Sequence, residues 1–422
     1  MVALNQTGWS QKASNWHVYK LADGLAEPAC VSVTLSPQGK VTTRHLNLPV
    51  LSELDGYSIT NIPAPEKGLS RIYESPGGQL WTTVHDGLAE FKDQDWVIHR
   101  VPEIAVRARL GPGAFNPIPL CPVRQGVVLF LLPDRLVEFS LETSGQPRTR
   151  PLLEANRYME QFSGMTLGRD GRLWLAGIHG LVKAPTGVRL LKPDLEWQQF
   201  PLPEALQAEN VQEPHEDVEG GITAVAESSA NHQKLVLHFD GQGWTARAAG
   251  NEKLRQAWRG PDRTVWAMSL QGLFEWEDDQ MNESEEVSAR QFFDVATESS
   301  GSFWLATSDG LMRCAPSIWS SPAPLRQFKS PVRCLTPDQA GRLWFVSGAA
   351  LHLLENGQAR VFPFPQALAH TLPAAREACA LTDGTLLLEA AEQLFRFQPN
   401  GGRFSRGARR ILRGVRSNSR GP

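Results

Sequence analysis

The feature that most constrains the fold of this chain is a sequence repeat with a period of about 43 residues. The stretch GSFWLATSDGLMRC at 301–314 shows its form: a glycine turn, an aromatic residue, an apolar run, a second turn and an alternating run. Four more good copies carry the aromatic residue at Trp81, Trp174, Trp266 and Trp344, and degenerate copies bring the total to nine. Repeats of this length are typical of propellers and solenoids.

Local signals favour strands in every part of the repeat. Asp86-Gly87 and Asp309-Gly310 are typical of tight hairpin turns, because glycine supplies the positive φ that such turns need. A strand-like run precedes each copy and another follows it, as at 95–100, whereas helical periodicity of useful length is missing. Four strands per repeat make the blade of a β-propeller.

We therefore predict an all-β fold, a β-propeller of four-stranded antiparallel blades with nine repeat copies in a ring of seven to nine blades. One large ring and one complete ring followed by two blades of a second ring both fit the repeat. The blade count stays open, because the first and last segments could share one blade by strand exchange.

The repeats divide the chain into an N-terminal extension at 1–15, propeller repeats at 16–400 and an Arg-rich tail at 401–422. The tail holds seven arginines and no acidic residue, so we predict a flexible, solvated segment. A contact with anions, nucleic acid or a membrane surface, and an end created by truncation, are alternatives for the tail. The net charge of −3 over the whole chain gives no general basic face for nucleic acid.

Motifs for metal, cofactor or catalytic chemistry are missing. The five cysteines are scattered without a CxxC pair, so we predict buried thiols and no zinc site. His85, His179 and His232 occupy the same turn in three blades, but Gln271 and Asp309 stand there in others, so no metal site is predicted. No copy matches a P-loop, a dinucleotide fingerprint or a G-x-S-x-G elbow, so we predict no cofactor and no enzymatic activity.

The repeated tryptophans are predicted to fill the space between neighbouring blades rather than to bind a ligand. This predicted blade core consists of Trp81, Trp174, Trp266, Trp304 and Trp344. Trp258 and Phe292 lie near connections between blades and fit either core packing or stacking on a sugar face.

Binding residues are predicted on the face of the ring where the turn between the second and third strands lies beside the connection to the next blade. This placement is an analogy with other propellers. Polar side chains there would suit a hydroxyl-rich ligand, although turn residues are also polar simply because turns are exposed. The predicted ligand-binding rim consists of His85, Asp86, Arg157, His179, Gln271, Asp309 and Arg376.

The good copies resemble a known family. Their form, D-x-x-G-x-L-W-x-x-T-x-x-G-L-x-x-F, is similar to the two-component regulator propeller repeat, which forms the sensor region of bacterial hybrid histidine kinases. The segment WHVYKLADGL at 16–25 also resembles the opening of that family, where an aromatic strand leads into Asp-Gly-Leu. The resemblance covers residues 16–400.

The resemblance implies a periplasmic sensor that binds a carbohydrate breakdown product or a similar polar molecule. Its partner would be a histidine kinase, either fused or separately encoded. The sequence shows no signal peptide, no stretch near the ~20 apolar residues of a membrane span and no kinase motif. Taken as a native full-length chain, it would therefore be cytoplasmic.

The leading hypothesis is a ligand-sensing propeller that has no kinase or membrane part in this chain. A protein–protein scaffold is the first alternative, favoured by the Pro-rich apolar segment at 362–373. A propeller-type lyase or glycan-active enzyme is the second, and it would need a convergent acid and base that the sequence does not show. The ligand and the oligomeric state stay open.

Overall fold

A computed structural model describes residues 15–108, 117–142, 145–277, 280–315, 332–355, 358–391 and 393–406. These residues form nine four-stranded antiparallel sheets, which confirms the predicted all-β propeller fold. The chain divides into two compact units, one at Ala13–Ser317 and another that contains Ile318–Pro422. The first unit holds seven of the sheets and the second holds two.

Strands within each blade are called A to D, in the order in which they lie side by side. The chain starts with β1 (Trp16–Tyr19). The first blade contains β2 (Cys30–Leu35), β3 (Val41–His45), β4 (Val50–Leu54) and β5 (Ile59–Pro63). The second contains β6 (Tyr73–Glu74), β7 (Leu80–Val84), β8 (Gly87–Lys92) and β9 (Asp95–Arg100). The third contains β10 (Leu120–Arg124), β11 (Val127–Leu131), β12 (Arg135–Leu141) and β13 (Pro147–Glu154).

The fourth blade contains β14 (Phe162–Leu167), β15 (Arg172–Gly177), β16 (Gly180–Gly187) and β17 (Gln198–Pro201). The fifth contains β18 (Ala208–Glu216), β19 (Ile222–Ser228), β20 (Lys234–Phe239) and β21 (Trp244–Ala248). The sixth contains β22 (Gln256–Arg259), β23 (Val265–Met268), β24 (Leu273–Glu277) and β25 (Gln280–Glu283).

The seventh blade is completed by the first strand of the chain. Its strands A to C are β26 (Phe292–Thr297), β27 (Phe303–Thr307) and β28 (Gly310–Cys314), and β1 pairs with β28 as strand D. The first and seventh blades pack together, with Val33 and Leu54 against Trp304. The ring of the first unit is therefore closed at seven blades by strand exchange, which removes the free edge that β28 would otherwise expose.

A glycine at the start of strand C explains part of the repeat motif. Gly310 has φ +144°, and a Cβ on it would overlap the carbonyl oxygen of Tyr19 in strand D. Gly87 and Gly180 stand at the same place in two other blades, where a Cβ would overlap the carbonyl oxygens of the adjacent strand D. Only glycine permits this close approach together with a positive φ.

The second unit holds two blades that share one apolar core, which includes Trp344 and Phe397. Its first blade contains β29 (Val332–Pro337), β30 (Leu343–Ser347), β31 (Ala350–Glu355) and β32 (Gln358–Pro363). Its second contains β33 (Glu377–Ala380), β34 (Leu386–Ala390), β35 (Gln393–Gln398) and β36 (Arg403–Arg406).

The predicted boundary of the tail differs from the structure. Strand β36 lies inside 401–422 because the turn Pro399–Gly401 returns the chain to pair with β35. The tail can therefore begin only after Arg406, and its remainder lies outside the described residues, as does the predicted extension at 1–15 except for Asn15.

Helices are short. The α-helix α1 spans Pro102–Ala108, and 3-10 helices occur at Leu21–Asp23, Ala155–Arg157, Val188–Leu190, Glu204–Leu206, Gln366–Leu368, Leu372–Ala374 and Pro399–Gly401. Among the described residues, no helix has the length and apolar character needed to cross a membrane.

Candidate functional sites

Strand A of several blades carries a polar residue at the same level of the ring. In the seventh blade, Ala296 pairs with the repeated Trp304, and Asp294 lies two residues before Ala296. The corresponding position is polar in four other blades of the ring: it is Ser32 in the first blade, and in the other three it is a larger side chain that is linked to Asp294 directly or through Arg71. We call Asp294 and these three larger side chains the central polar layer, and it consists of Arg71, Glu213, Gln256 and Asp294.

The central polar layer joins blades across the ring. Arg71 donates from Nε and Nη2 to the two carboxylate oxygens of Asp294, at 2.9 and 2.6 Å, and Nη2 also contacts Glu213 Oε2 at 3.0 Å. Gln256 donates to Asp294 Oδ1 at 3.0 Å, and the backbone N–H of Val33 donates to Oδ2 at 3.0 Å. Asp294 thereby connects the first, second, sixth and seventh blades, and Arg71 adds the fifth.

Irregular pairing in strand A helps to orient the side chains of the central polar layer. The register of β26 shifts between Phe292 and Asp294, and that of β18 shifts between Gln212 and His215. A bulge of this kind redirects the following side chain. The bulges thus allow residues of the central polar layer to meet even though the surrounding strands pack through apolar side chains.

Burial and neighbouring charges shift the pKa values of Arg71 and of the groups around it. Burial acts to lower the pKa of Arg71, but Asp294 and Glu213 outweigh it and raise that pKa well above the usual arginine value. Burial lowers the pKa of His215 to about 4, so its imidazole is neutral at pH 7. Burial also raises the pKa of the Tyr73 hydroxyl. The chemistry of the layer is that of a charged clamp between blades, flanked by a neutral histidine.

A second polar region lies between the seventh and first blades. It is a cleft of about 510 Å³, which we call the seam cleft. Tyr19, Glu298, Trp304 and Arg313 line one side of it, and the first blade contributes Leu35, Val41 and Leu54 on the other. Its volume falls within the roughly 300–1,000 Å³ that is usual for small-molecule sites.

Charged and aromatic groups of the seam cleft are held in place by each other. The Trp304 ring stacks on Tyr19 at a centroid distance of 5.5 Å, and the Arg313 guanidinium lies 5.4 Å from the same indole. Glu298 Oε1 accepts from Trp304 Nε1 at 2.8 Å and from Arg313 Nε at 2.9 Å, while Oε2 accepts from Arg313 Nη2 at 3.1 Å. Burial acts to raise the pKa of Glu298, but these hydrogen bonds hold it below its usual value.

One donor of the seam cleft remains available to a ligand. Nη1 of Arg313 has no hydrogen-bond partner within the described part of the chain. The side chains of Arg313 and Glu298 are 35% and 24% exposed, so both reach the open side of the cleft. Exposed hydroxyl-bearing residues at its edge, such as Ser299, add further polar groups.

Several predicted rim residues make local pairs. His85 Nδ1 lies 3.0 Å from Glu66 and its Nε2 lies 3.4 Å from Asp86. His179 lies 3.3 Å from Glu160, and these contacts place the turns of His85 and His179 beside the connections that precede their blades. Hydrogen bonding to Glu66 raises the pKa of His85.

The other predicted rim residues are also dispersed. Asp309 accepts from the backbone of Arg290 at 2.9 Å, and Arg157 lies over the Tyr158 ring. Gln271 lies in a turn capped by a serine hydroxyl. Arg376 belongs to the second unit. None of the seven lines the seam cleft or two other clefts in the described part of the chain, so their role in binding stays a prediction.

The aromatic residues of the repeat lie in the core. All five repeated tryptophans are buried, and so are Trp258 and Phe292. Three cysteines, Cys30, Cys121 and Cys314, are buried, whereas Cys334 is intermediate and Cys379 is exposed. The described residues contain no group of three or more His, Cys, Asp or Glu side chains that could hold a metal ion.

Comparisons with known proteins return other propellers at low sequence identity. The extracellular domain of a putative hybrid two-component system from B. thetaiotaomicron matches with a TM-score of 0.48 and 12% identity, covering 93% of this chain and 53% of that one. Virginiamycin B lyase from Staphylococcus aureus matches with a TM-score of 0.49 and 14% identity, covering 71% and 98%. YCF48 bound to D1 peptide matches with a TM-score of 0.46 and 12% identity, covering 72% and 97%.

The chain thus spans about half the length of the two-component system domain that it matches. No protein-family model matches the chain, and neither does any curated protein sequence. The residues of the central polar layer and of the seam cleft are therefore assigned from their own geometry.

Proposed function

We propose that this chain is a ligand-binding propeller that recognises a neutral, hydroxyl-rich small molecule, such as an oligosaccharide, in the seam cleft. The observation that carries the proposal is the pairing of an aromatic wall with a fixed guanidinium donor in a cleft of ligand size. The resemblance of the repeat to two-component regulator propellers supports a sensor role for such a site, in an extracytoplasmic compartment.

The chemistry of the seam cleft favours a neutral ligand. Glu298 and Arg313 neutralise each other, and each Glu298 oxygen already accepts two hydrogen bonds. An ionic ligand would have to compete with that pair, whereas a hydroxyl group can accept from Arg313 Nη1 without breaking it. The apolar side formed by Leu35, Val41 and Leu54 suits the apolar face of a sugar ring.

The Pro-rich apolar segment at 362–373, which favours the scaffold alternative in the sequence, contributes aromatic side chains to the core of the second unit. Phe364, in the Pro-rich segment at 362–373, is buried, and Phe362 packs on Trp344 in the core of the second unit. The aromatic side chains of that segment therefore support the fold of their own unit.

A thermal-shift screen against neutral oligosaccharides tests the proposal. A ligand at 100 times its Kd should add about 2.7 kcal/mol to the free energy of unfolding. Arg313→Lys keeps the charge beside Glu298 but removes the free Nη1, and Ser299→Trp places a bulky ring at the open edge, so both should abolish the shift. Arg150→Lys is the matched control, since Arg150 pairs with Glu138 at 2.9 Å in the third blade.

The expected result is a shift with one class of sugar that survives in Arg150→Lys and disappears in the two cleft variants. A shift that persists in both cleft variants would overturn the assignment of the site. The absence of a shift with every neutral sugar, in a protein that melts cooperatively, would overturn the proposed ligand class.

A further inference from the structure

A separate cleft of about 490 Å³ spans the second, third and fourth blades. The turn after β6 contributes Pro76 and Gly77, the end of β10 and the turn after it contribute Arg124 and Gln125, and the 3-10 helix Val188–Leu190 contributes Arg189. We call it the arginine cleft. It involves none of the residues of the seam cleft, and all five of its lining residues are exposed.

The two guanidinium groups of the arginine cleft share one cleft and lack counter-charges. Within the described residues, neither Arg124 nor Arg189 has a hydrogen bond or a salt bridge from its side chain, and no carboxylate lines the cleft. Several other arginines of the ring are paired, as Arg71 is with Asp294, Arg135 with Asp134 and Arg313 with Glu298. The N–H groups of both guanidinium side chains are therefore available to a ligand in the arginine cleft.

The chemistry of this pair selects a class of ligand. The planar guanidinium fork donates two parallel hydrogen bonds to a carboxylate, sulfate or phosphate group. The Gln125 carboxamide can donate a further hydrogen bond to an oxygen of the same group.

We propose that the arginine cleft binds the oxyanion group of a small molecule through Arg124 and Arg189. The shared chemistry is that of an oxygen-bearing anionic group on a free inorganic ion or on an acidic sugar. The site stands apart from the proposed neutral-sugar site, so either one can fail without the other.

Isothermal titration of the full chain with inorganic phosphate, sulfate and galacturonate, at constant ionic strength, tests this inference. We expect saturable binding of at least one of these probes, weakened about tenfold or more by Arg124→Gln and by Arg189→Gln. Arg100→Gln is the control, because Arg100 is an exposed arginine outside the cleft that also lacks a salt bridge among the described residues. Circular dichroism establishes that each variant is folded.

The pattern of probes identifies the source of the anionic group. Saturation by galacturonate alone places the group on an acidic sugar, whereas saturation by phosphate or sulfate shows that the free ion suffices. No saturable binding of any probe overturns the inference, and so does equal weakening by Arg100→Gln, which would indicate unspecific charge attraction.

Discussion

Arg71 and Asp294, which are 223 residues apart in the sequence, form a two-pronged ion pair at the centre of the seven-bladed ring. The side chain of Asp294 is 5% exposed and that of Arg71 is 18% exposed. Because the two residues belong to the second and seventh blades, the pair can form only when the ring is closed. The pair therefore connects local blade formation to the closure of the whole ring.

Loss of the charge on Asp294 should destabilise the ring strongly. Asp294→Asn keeps the size of the side chain but leaves Arg71 without its main counter-charge, which we expect to lower the free energy of unfolding by roughly 3–5 kcal/mol. Urea unfolding of the full chain measures the change. The double variant Arg71→Met with Asp294→Asn should recover part of the loss, because no uncompensated cation remains.

Arg290→Gln provides the comparison for this prediction. Arg290 pairs with Asp309, but its side chain is 83% exposed, so we expect a change below about 1 kcal/mol. Equal effects of Asp294→Asn and Arg290→Gln would show that the buried pair does not clamp the ring.

His215 should make the ring less stable in mild acid. Burial lowers its pKa from 6.5 to about 4, so between these pH values the unfolded chain binds a proton that the folded chain does not. The free energy of unfolding should therefore be unaffected by this group above about pH 6.5 and fall by up to about 1.4 kcal/mol per pH unit towards pH 4. His45 and His238 contribute to the ring in the same direction, since burial lowers their pKa values too.

A difference measurement isolates His215 from the other histidines. Unfolding of the His215→Phe variant, followed from pH 7 to pH 4, should show a shallower loss of stability than unfolding of the unmodified chain. His232→Asn, which replaces an exposed histidine, should leave the slope unchanged. Parallel curves for all three proteins would contradict the prediction.

Replacement by phenylalanine should lower the free energy of unfolding by different amounts at Trp304 and at Trp81. Trp304 Nε1 donates to Glu298 at 2.8 Å, whereas Trp81 Nε1 is buried without a hydrogen-bond partner among the described residues. Changing either to phenylalanine removes a similar apolar area, but only Trp304→Phe breaks a hydrogen bond to a charged group. We expect Trp304→Phe to be more destabilising than Trp81→Phe by roughly 1.5–3 kcal/mol, measured by urea unfolding. Equal costs would mean that the bond to Glu298 contributes no net stability.

The repeat predicts the fold because its constraints recur in every good copy. Trp81 and Trp304 are buried between blades, and Gly87 and Gly310 permit strand D to approach strand C. Each of these requirements recurs once per blade, so the same residue type stands at the same position in every good copy of the repeat. The partner of β1 is different, because its pairing with β28 joins distant parts of the chain and leaves no periodic signal.

The candidate sites are harder to predict from the sequence than the fold, because their contacts also join distant parts of the chain and leave no periodic signal. The members of the central polar layer must complement one another across the ring, so Arg71 faces Asp294 and no repeat relates them. The predicted rim follows turn composition, yet a residue such as His85 pairs with its local neighbour Glu66. One signal was available for the seam cleft: Glu298 stands six residues before Trp304 and bonds to its indole, as Asp338 does with Trp344.

Closure of the ring by β1 should depend on the glycine that faces it. Gly310→Ala would drive a methyl group into the carbonyl oxygen of Tyr19 and also impose a positive φ on alanine. We expect hydrogen exchange at residues 16–19 to accelerate and the melting temperature to fall.

Two glycine variants separate steric displacement of β1 from backbone strain. Gly241→Ala has the same kind of strain, with φ +95°, but no atom within 4 Å of the new Cβ, so it should cost only about 1–3 kcal/mol and leave β1 protected. Gly87→Ala should displace β9, which is continuous with its own blade, and should also leave β1 protected. Because β1 supplies strand D of the seventh blade, faster exchange at 16–19 in Gly310→Ala alone would identify it as the closing strand. Unchanged exchange there in all three variants would mean that another contact closes the ring.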